Sequence, residues 1–308
     1  MRKKILIIGS TCLDVIIRVD HLPETEENLH PEGQQFSVGG CAYNVANILG
    51  RCGADATFVT PVGLQGVFGP YILPILEKQP WVKPVLLPDE ENGCCYCLVE
   101  KNGERTFLSI HGAEYTFFPA WMEAVSGERF DYTYVCGLEV EERTGDQLVA
   151  WLETADYTGT ILYAPGPRGM KVPLDRTERL LALHPILHLN RSEALKLGAS
   201  DDVKQAMQNL HQKTENSVVV TLGKDGAIIL DGDGRFLSVP GYPAKQIADT
   251  IGAGDAHAGA LLLGLSHGMS LNSAANLANQ VSVHVVQQSG ATLSDAALRP
   301  IQEALRQK

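Results

Sequence analysis

Nowhere in these 308 residues does GxxxxGK(S/T) occur, which excludes a P-loop nucleotide site. The GS after the first apolar run lacks the second and third glycines of GxGxxG, so a dinucleotide fingerprint is missing as well. No apolar run approaches the roughly 18–20 residues of a membrane-spanning helix. The opening MRKKILIIGS has only Ile5, Leu6, Ile7 and Ile8 in its apolar run, short of the roughly 7–15 residues of a secretory signal core. Positive charge is scarce. Against 36 Asp and Glu stand 25 Lys and Arg, a net charge of −11 with no basic stripe, which argues against nucleic acid or an anionic membrane as partner. Among seven cysteines the one CxxC spacing, Cys94 to Cys97, has no second cysteine pair and no Cys/His group at metal-ligand spacing to complete it. Cys94, Cys95 and Cys97 in GCCYCLVE read as strand packing, since neighbouring strand residues point to opposite faces. The expectation is a cytoplasmic protein whose partners are small molecules.

What the chain does have is alternation. KILIIG, ATFVTPVG, YTYVCG, TILYAP, PILHLN and SVVVTLG are strand-like, and between them lie amphipathic stretches such as AYNVANILGRCG, GDQLVAWLETA and SDDVKQAMQNLHQK. That order predicts a mostly parallel sheet covered by helices on both faces. From 253 to about 306 the pattern is almost wholly helical, and no linker divides the chain, so residues 1–308 are expected to form one unit. Two regions break the rhythm. One, at about 11–38, holds two strand patterns around a polar, Pro-containing loop; the other, at about 93–110, is a hairpin across KNGE, where Asn-Gly marks a tight turn. Together they predict a small β-sheet standing off the main layer, a candidate lid.

The segment DTIGAGDAHAG (249–259) puts glycines at 252 and 254 between Asp249 and Asp255, directly before an apolar helix. Free N–H groups at such a helix start, over Ile251, Gly252, Ala253 and Gly254, form an anion site, and glycine lets a phosphate approach bare backbone. A carboxylate at Asp255 would then face whatever attacks that phosphate. Fixed donors for the transferring group and an acceptor for the hydroxyl proton are what phosphoryl transfer to an alcohol requires. A glycine-rich cap with a helper aspartate is the plain alternative. Upstream, VGGCAYNVANILG sets Gly39 and Gly40 before a helix that presents Asn44, a side chain with both donor and acceptor for a polyol. In LNRSEALKLG, Asn190 and Glu193 share a helical face, at a spacing that suits either a water-mediated magnesium contact or a surface cap. VTLGKDGAIIL is a strand, glycine turn and second strand.

In this order, GGxxxN, NxxE, TLGxxG and DTxGAGD resemble the ribokinase/PfkB family of carbohydrate kinases, over nearly the whole chain. The resemblance implies a three-layer α/β/α fold with a β-sheet lid, and an ATP- and Mg²⁺-dependent kinase acting on a sugar hydroxyl. It implies Asp255 as catalytic base and 251–254, with Gly252, Ala253 and Gly254, as anion hole. Asp14, Gly40, Asn44 and Glu139 would hold the acceptor. Asn190, Glu193, Thr221, Gly223 and Gly226 would serve the nucleotide and magnesium, with Asn279 near the adenine. Asp249, Ile251, Gly290 and Ser294, with carbonyls around Val285 and Gln288, resemble the family's monovalent-cation (K⁺) site. There are departures. His257 stands where many members have an aromatic and reads as helix packing. APGPR (164–168) lacks the Asp and Asn common in members that act on fructose-like sugars, and GGCAYN lacks the lysine of members that take phosphorylated sugars. An unphosphorylated acceptor is therefore expected. A nucleoside kinase of the same fold is the alternative, with a base slot from Tyr43, Ile16 or Phe36; a non-catalytic sugar sensor and an oxidoreductase are more distant rivals. Finally, the apolar face of Leu13, Val15, Ile17 and Val19 has no covering helix in sequence and is expected to lie open in a monomer, so a homodimer through the lid is expected.

Overall fold

A computed structural model describes every residue except Met1, Tyr157, Asp249, Ser289, Gln307 and Lys308. Its strands are β1 (Ile5–Ile8), β2 (Cys12–Val19), β3 (Gly33–Gly39), β4 (Ala56–Gln65), β5 (Val82–Glu91), β6 (Cys94–Glu100), β7 (Arg105–Ile110), β8 (Tyr132–Cys136), β9 (Thr160–Ala164), β10 (Ile186–Asn190), β11 (Val218–Thr221), β12 (Ala227–Leu230) and β13 (Phe236–Val239). The α-helices are α1 (Cys41–Arg51), α2 (Phe68–Leu76), α3 (Gly137–Glu141), α4 (Gly145–Thr154), α5 (Leu174–Leu181), α6 (Arg191–Leu197), α7 (Val203–Thr214), α8 (Ala253–Ser266), α9 (Leu271–Val286) and α10 (Asp295–Arg306).

Nine strands make the main sheet, in the order β13-β12-β11-β10-β9-β8-β1-β4-β5, antiparallel only where β12 meets β11 and β13. The predicted alternation thus becomes a mostly parallel sheet between two helix layers. Strand β1 shows how the sequence feeds both. Ile5 and Ile7 share a core with Ile48 of α1, Leu261 of α8 and Val281 of α9, whereas Leu6 and Ile8 share one with Leu148 of α4, Leu180 of α5 and Leu210 of α7. Helix α8 has no polar stripe because it is wrapped on all sides; its residues from Ala256 to its end are buried, and only its first turn reaches the open. Strand β5 is not announced by the sequence pattern. Pro84 and Pro88 interrupt it, and they are tolerated because β5 pairs on one side only, with β4.

The second sheet has four strands in the order β3-β2-β6-β7, with β2 and β6 parallel and the other pairs antiparallel. Here one expectation is corrected. The face of β2 with Leu13, Val15, Ile17 and Val19 is not left in water: Leu13 and Val15 are each 2% exposed and belong to the α1/α8 core, Val19 is buried, and Ile17 is half-buried against the same core. Helix α2 packs on β2, with Tyr71 against Phe36, so a helix that does not adjoin β2 in sequence helps to cover this face. Open apolar surface on that face comes instead from neighbouring strands, through Phe36 (46% exposed), Leu108 (57%) and Ile110 (58%), which the pairing places in rows with Val15 and Leu13.

Candidate active site

Strand order reverses at β1, which pairs with β4 on one side and β8 on the other. In open α/β sheets the crevice at the carboxyl ends of such strands is where ligands bind. Gly9 and Ser10 after β1, Cys136 ending β8, Asn190 ending β10 and Thr221 ending β11 all lie at those ends. The first turn of α8 brings Asp255 to the same place.

Asp255 is half-buried, and burial pushes its carboxyl up to about 6. Two groups from α1 hold it in its ionised form: Asn44 Nδ2 donates to Oδ2 at 2.8 Å, and the Cys41 thiol also hydrogen-bonds to it. Asn44 is 5% exposed, and its Oδ1 has no partner. Asp14, from β2, is likewise pushed up to about 6, first by burial and further by the negative charge of Asp255. Glu139, on the short α3, is 2% exposed; its Oε1 accepts from Ser10 N and Ser10 Oγ at 2.8 Å each, and its Oε2 has no partner. Burial raises this carboxyl too, against the bonds from Ser10 that lower it. A thiol pair, Cys41 and Cys136, joins Glu139 to Asp255 by hydrogen bonds.

The diglycine now has a physical reason. A Cβ on Gly39 would overlap the Asp14 carboxylate, and Gly40 caps α1 at φ 104°, within the region that side chains avoid. Removing both side chains lets Asp14 settle against backbone beside Asn44. The sequence-predicted acceptor residues Asp14, Gly40, Asn44 and Glu139 therefore meet around Asp255, although they come from β2, α1 with its cap, and α3. Uncommitted oxygens on Asn44 and Glu139, with the Asp14 carboxylate beside them, are suited to receive hydroxyl protons from a ligand.

At the start of α8 the two glycines differ. Gly252 adopts φ 73° as the helix cap, and a Cβ there would collide with Ala291; a Cβ on Gly254 would meet nothing within 4 Å. Open space over a helix N-terminus, one residue before Asp255, is geometry that could accept an anion. A cleft of about 560 Å³ lies between Ile16, Arg18 and Cys97 of the small sheet and Gln246, Ile247 and Ile251.

On the other flank, Asn190 and Glu193 form a capping box on α6. Asn190 Oδ1 accepts from Glu193 N and Glu193 Oε2 accepts from Asn190 N, both at 2.9 Å, and Asn190 Nδ2 donates to Glu193 Oε1 at 2.7 Å. Both edge a cavity of about 120 Å³ whose opposite wall is Pro165, Gly166 and Pro167 of the APGPR segment. Thr221 Oγ1 donates to Leu189 O at 3.4 Å, Gly223 begins the turn, and Gly226 is pressed against the backbone of Val239, Pro240 and Gly241. Asn279 does not face an opening. It is 5% exposed, its Nδ2 donates to Val239 O and Pro240 O at 3.2 and 3.0 Å, and its Oδ1 lies 3.1 Å from His257 Nε2, so its polar atoms are engaged inside the protein. Of the cation-site candidates, Asp249 lies outside the described residues. Ile251 and Gly290 come from segments held side by side: Ala248 N donates to Val286 O at 2.8 Å, and Gly252 packs on Ala291. Ser294 N donates to Gln288 Oε1 at 3.2 Å, closing that loop.

Sequence reasoning passed over Cys41, although it sits inside the quoted GGCAYN, and His188, inside PILHLN. A polar side chain in the middle of an apolar run was the available signal in the second case. Two of the three residues suggested for a base slot are placed elsewhere: Tyr43 is buried in the core, hydrogen-bonded to Asn47, and Phe36 is on the face of the small sheet opposite Asp14.

Residues 2–297 match the pfkB family carbohydrate kinases. The uncharacterized sugar kinase YegV of Escherichia coli is 33% identical over 294 residues, covering 94% of this chain and 90% of its own. Among solved structures, the Arabidopsis thaliana ribokinase complexed with ribose and ATP superposes with a TM-score of 0.78 at 18% identity, over 98% of this chain and 99% of that one. The adenosine kinase of Sinorhizobium meliloti does so with a TM-score of 0.81 at 21% identity, over 99% of this chain and all of that one. With the match running through both the diglycine of α1 and the aspartate of α8, the chain belongs to the pfkB family of carbohydrate kinases, phosphotransferases with an alcohol group as acceptor.

Proposed function

We propose that this chain transfers the γ-phosphate of ATP to a hydroxyl of an unphosphorylated sugar or sugar-like alcohol, with Asp255 as general base. The observation that carries this reading is the pairing of Asp255 with open space over Gly254 on one side and the uncommitted oxygens of Asn44 and Glu139 on the other. The hydroxyl to be phosphorylated would lie against Asp255, which takes its proton as the oxygen attacks phosphorus. N–H groups of 251–254 would receive the charge that builds on the transferring group. Three carboxylates around the acceptor favour a neutral polyol over a sugar phosphate, because a second anion there would meet Asp14, Glu139 and Asp255. Within the nucleotide half, Glu193 would hold magnesium through water, and the ion when bound would offset phosphate charge. Backbone carbonyls near Ile251, Val285, Gln288 and Gly290 would hold a monovalent cation. The small sheet would act as a lid over the cleft of about 560 Å³.

A turnover screen with ATP over neutral sugars, sugar acids, sugar phosphates and nucleosides tests the reading. Turnover on a neutral sugar is expected; phosphorylation confined to nucleosides would replace it with the nucleoside alternative. For assembly we propose a homodimer through the open rows of the small sheet at Phe36, Leu108 and Ile110, since exposed apolar sheet faces of this kind call for a partner layer. A solution mass near 33.3 kDa at micromolar concentration would exclude it, and Leu108→Lys with Ile110→Lys is expected to turn the dimer into a monomer.

A further inference from the structure

Two histidines occupy positions that the surrounding pattern reserves for apolar residues. His188 sits between Leu187 and Leu189 in β10, His257 lies near the start of α8, and they are only 5% and 2% exposed. His188 Nε2 is 2.8 Å from His257 Nδ1, and His257 Nε2 is 3.1 Å from Asn279 Oδ1. The protons can be ordered from the far end. Asn279 Nδ2 donates to Val239 O and Pro240 O, so its Oδ1 is an acceptor. His257 Nε2 must then carry hydrogen, Nδ1 accepts, and His188 Nε2 donates. Every bond in the chain is satisfied by that one order. Burial holds both imidazoles below their ordinary range, His257 at about 4, so the relay stays neutral.

Its ends are informative. His188 precedes Asn190 by two in a strand, so the two side chains leave the same face of β10. His257 follows Asp255 by two in α8. The carbonyls of Val239 and Pro240, where the relay ends, lie against Gly226 of the 221–226 turn. One buried chain of hydrogen bonds therefore joins the helix of Asp255, the strand of Asn190 and the loop beneath Gly226. A Leu/Phe pair could fill this space without desolvating polar atoms, and apolar contacts tolerate sliding. Directional bonds with a single proton order do not.

We propose that His257 and His188 are positioning residues that fix the catalytic helix α8 in register with the nucleotide-binding half of the site. The inference rests on the kinase reading above and extends it to side chains that touch neither substrate. His257→Phe keeps an aromatic ring but breaks both bonds. It is expected to lower kcat about ten- to a hundred-fold, the scale of a misplacement near 1 Å. The acceptor KM should stay within about twofold, since Asp14, Asn44 and Glu139 lie outside the relay. In His257→Gln one amide can accept from His188 and donate to Asn279, and kcat should largely return. If Phe and Gln variants lose turnover equally, or if Phe lowers only the melting temperature, the histidines are packing and the proposal is overturned. Should His257→Phe fail to fold, His188→Leu is expected to give the same split between kcat and acceptor KM, and equal losses in both would overturn the proposal. Absence of turnover by the wild type on any alcohol would sink the kinase reading alone. The relay is then read by calorimetry of ADP, weakened by Phe and spared by Gln if it positions this half, and unchanged in both if it does not.

Discussion

Asp14, Asn44 and Glu139 reach the site from a strand and two helices and carry oxygen atoms into buried space, two of them without partners. Asn190 and Glu193 are neighbours in sequence, sit near the surface and satisfy each other, and the 221–226 turn offers mainly backbone. The difference shows how each half can recognise a ligand. A buried acceptor without a partner costs roughly 1–3 kcal/mol, a cost that ligand hydroxyls would relieve if this is the acceptor half, as proposed. Among the described residues, the half proposed for phosphate and nucleotide has no buried side-chain atom without a partner at Asn190, Glu193 or Thr221, so on that proposal it would bind through main-chain N–H groups, helix ends and shape. Side-chain changes should therefore dominate on one side and backbone changes on the other.

Asp255 lies where the two halves meet, and its removal should have the largest effect. Asp255→Asn keeps the bond partner of Asn44 but cannot take a proton; turnover should fall by about 10²–10⁴-fold with acceptor binding nearly intact. Retention of more than about a third of wild-type turnover at saturating substrate would place the base elsewhere.

Next comes a pair that sharpens the contrast between backbone and side chain. Gly254→Val projects into open space and should leave the melting temperature nearly unchanged while reducing turnover by about 10²–10³-fold, the scale of losing an oxyanion donor. Gly252→Ala, at φ 73° and against Ala291, should instead lower stability by about 1 kcal/mol or more, read by denaturant melts. Equal loss of stability and activity in both would erase the distinction.

On the acceptor side, Asp14→Ala should raise the acceptor KM by about 10- to 100-fold, since charged hydrogen bonds are worth roughly 1.5–3 kcal/mol. The KM for ATP should hardly move. A shift in the ATP constant alone would remove Asp14 from the sugar.

The smallest effects concern pH. Asp255 and Asp14 both titrate near 6, so kcat/KM should fall below about pH 6 and level off above it. Stability runs the other way. Folded carboxyls at about 6 lie above an unfolded value near 3.9, so the folded state binds more protons between these values. The stability they contribute is full below the unfolded pKa and is lost as pH rises through about 6. Asp14→Asn should then melt slightly higher than wild type at pH 7 while binding the acceptor poorly; a lower melting point would show that its carboxylate stabilises the fold.

Much of this was legible in the chain. Strand and helix alternation gave the layered sheet because burial on both faces demands continuous apolar strands, and local periodicity is a short-range property. DTIGAGD and GGCAYN could be read because glycines before a helix start mark bare backbone within a few residues, whereas the Asp14 carboxylate that fills the space at Gly39 comes from a different strand. Three things were decided only by tertiary structure. The apolar face of β2 is buried in a core that includes α1, α2 and α8, with α2 packed on β2, which overturned its expected exposure. Asn279 turned inward because His257 offers its oxygen a donor, a partner 22 positions away. Glu139 joined Asp255 through Cys136 and Cys41, four residues from three distant segments. Sequence spacing determines which neighbours share a face within one element. Which atoms of separate elements meet is set by how the layers close on each other, and that closure decides where buried polar groups find partners.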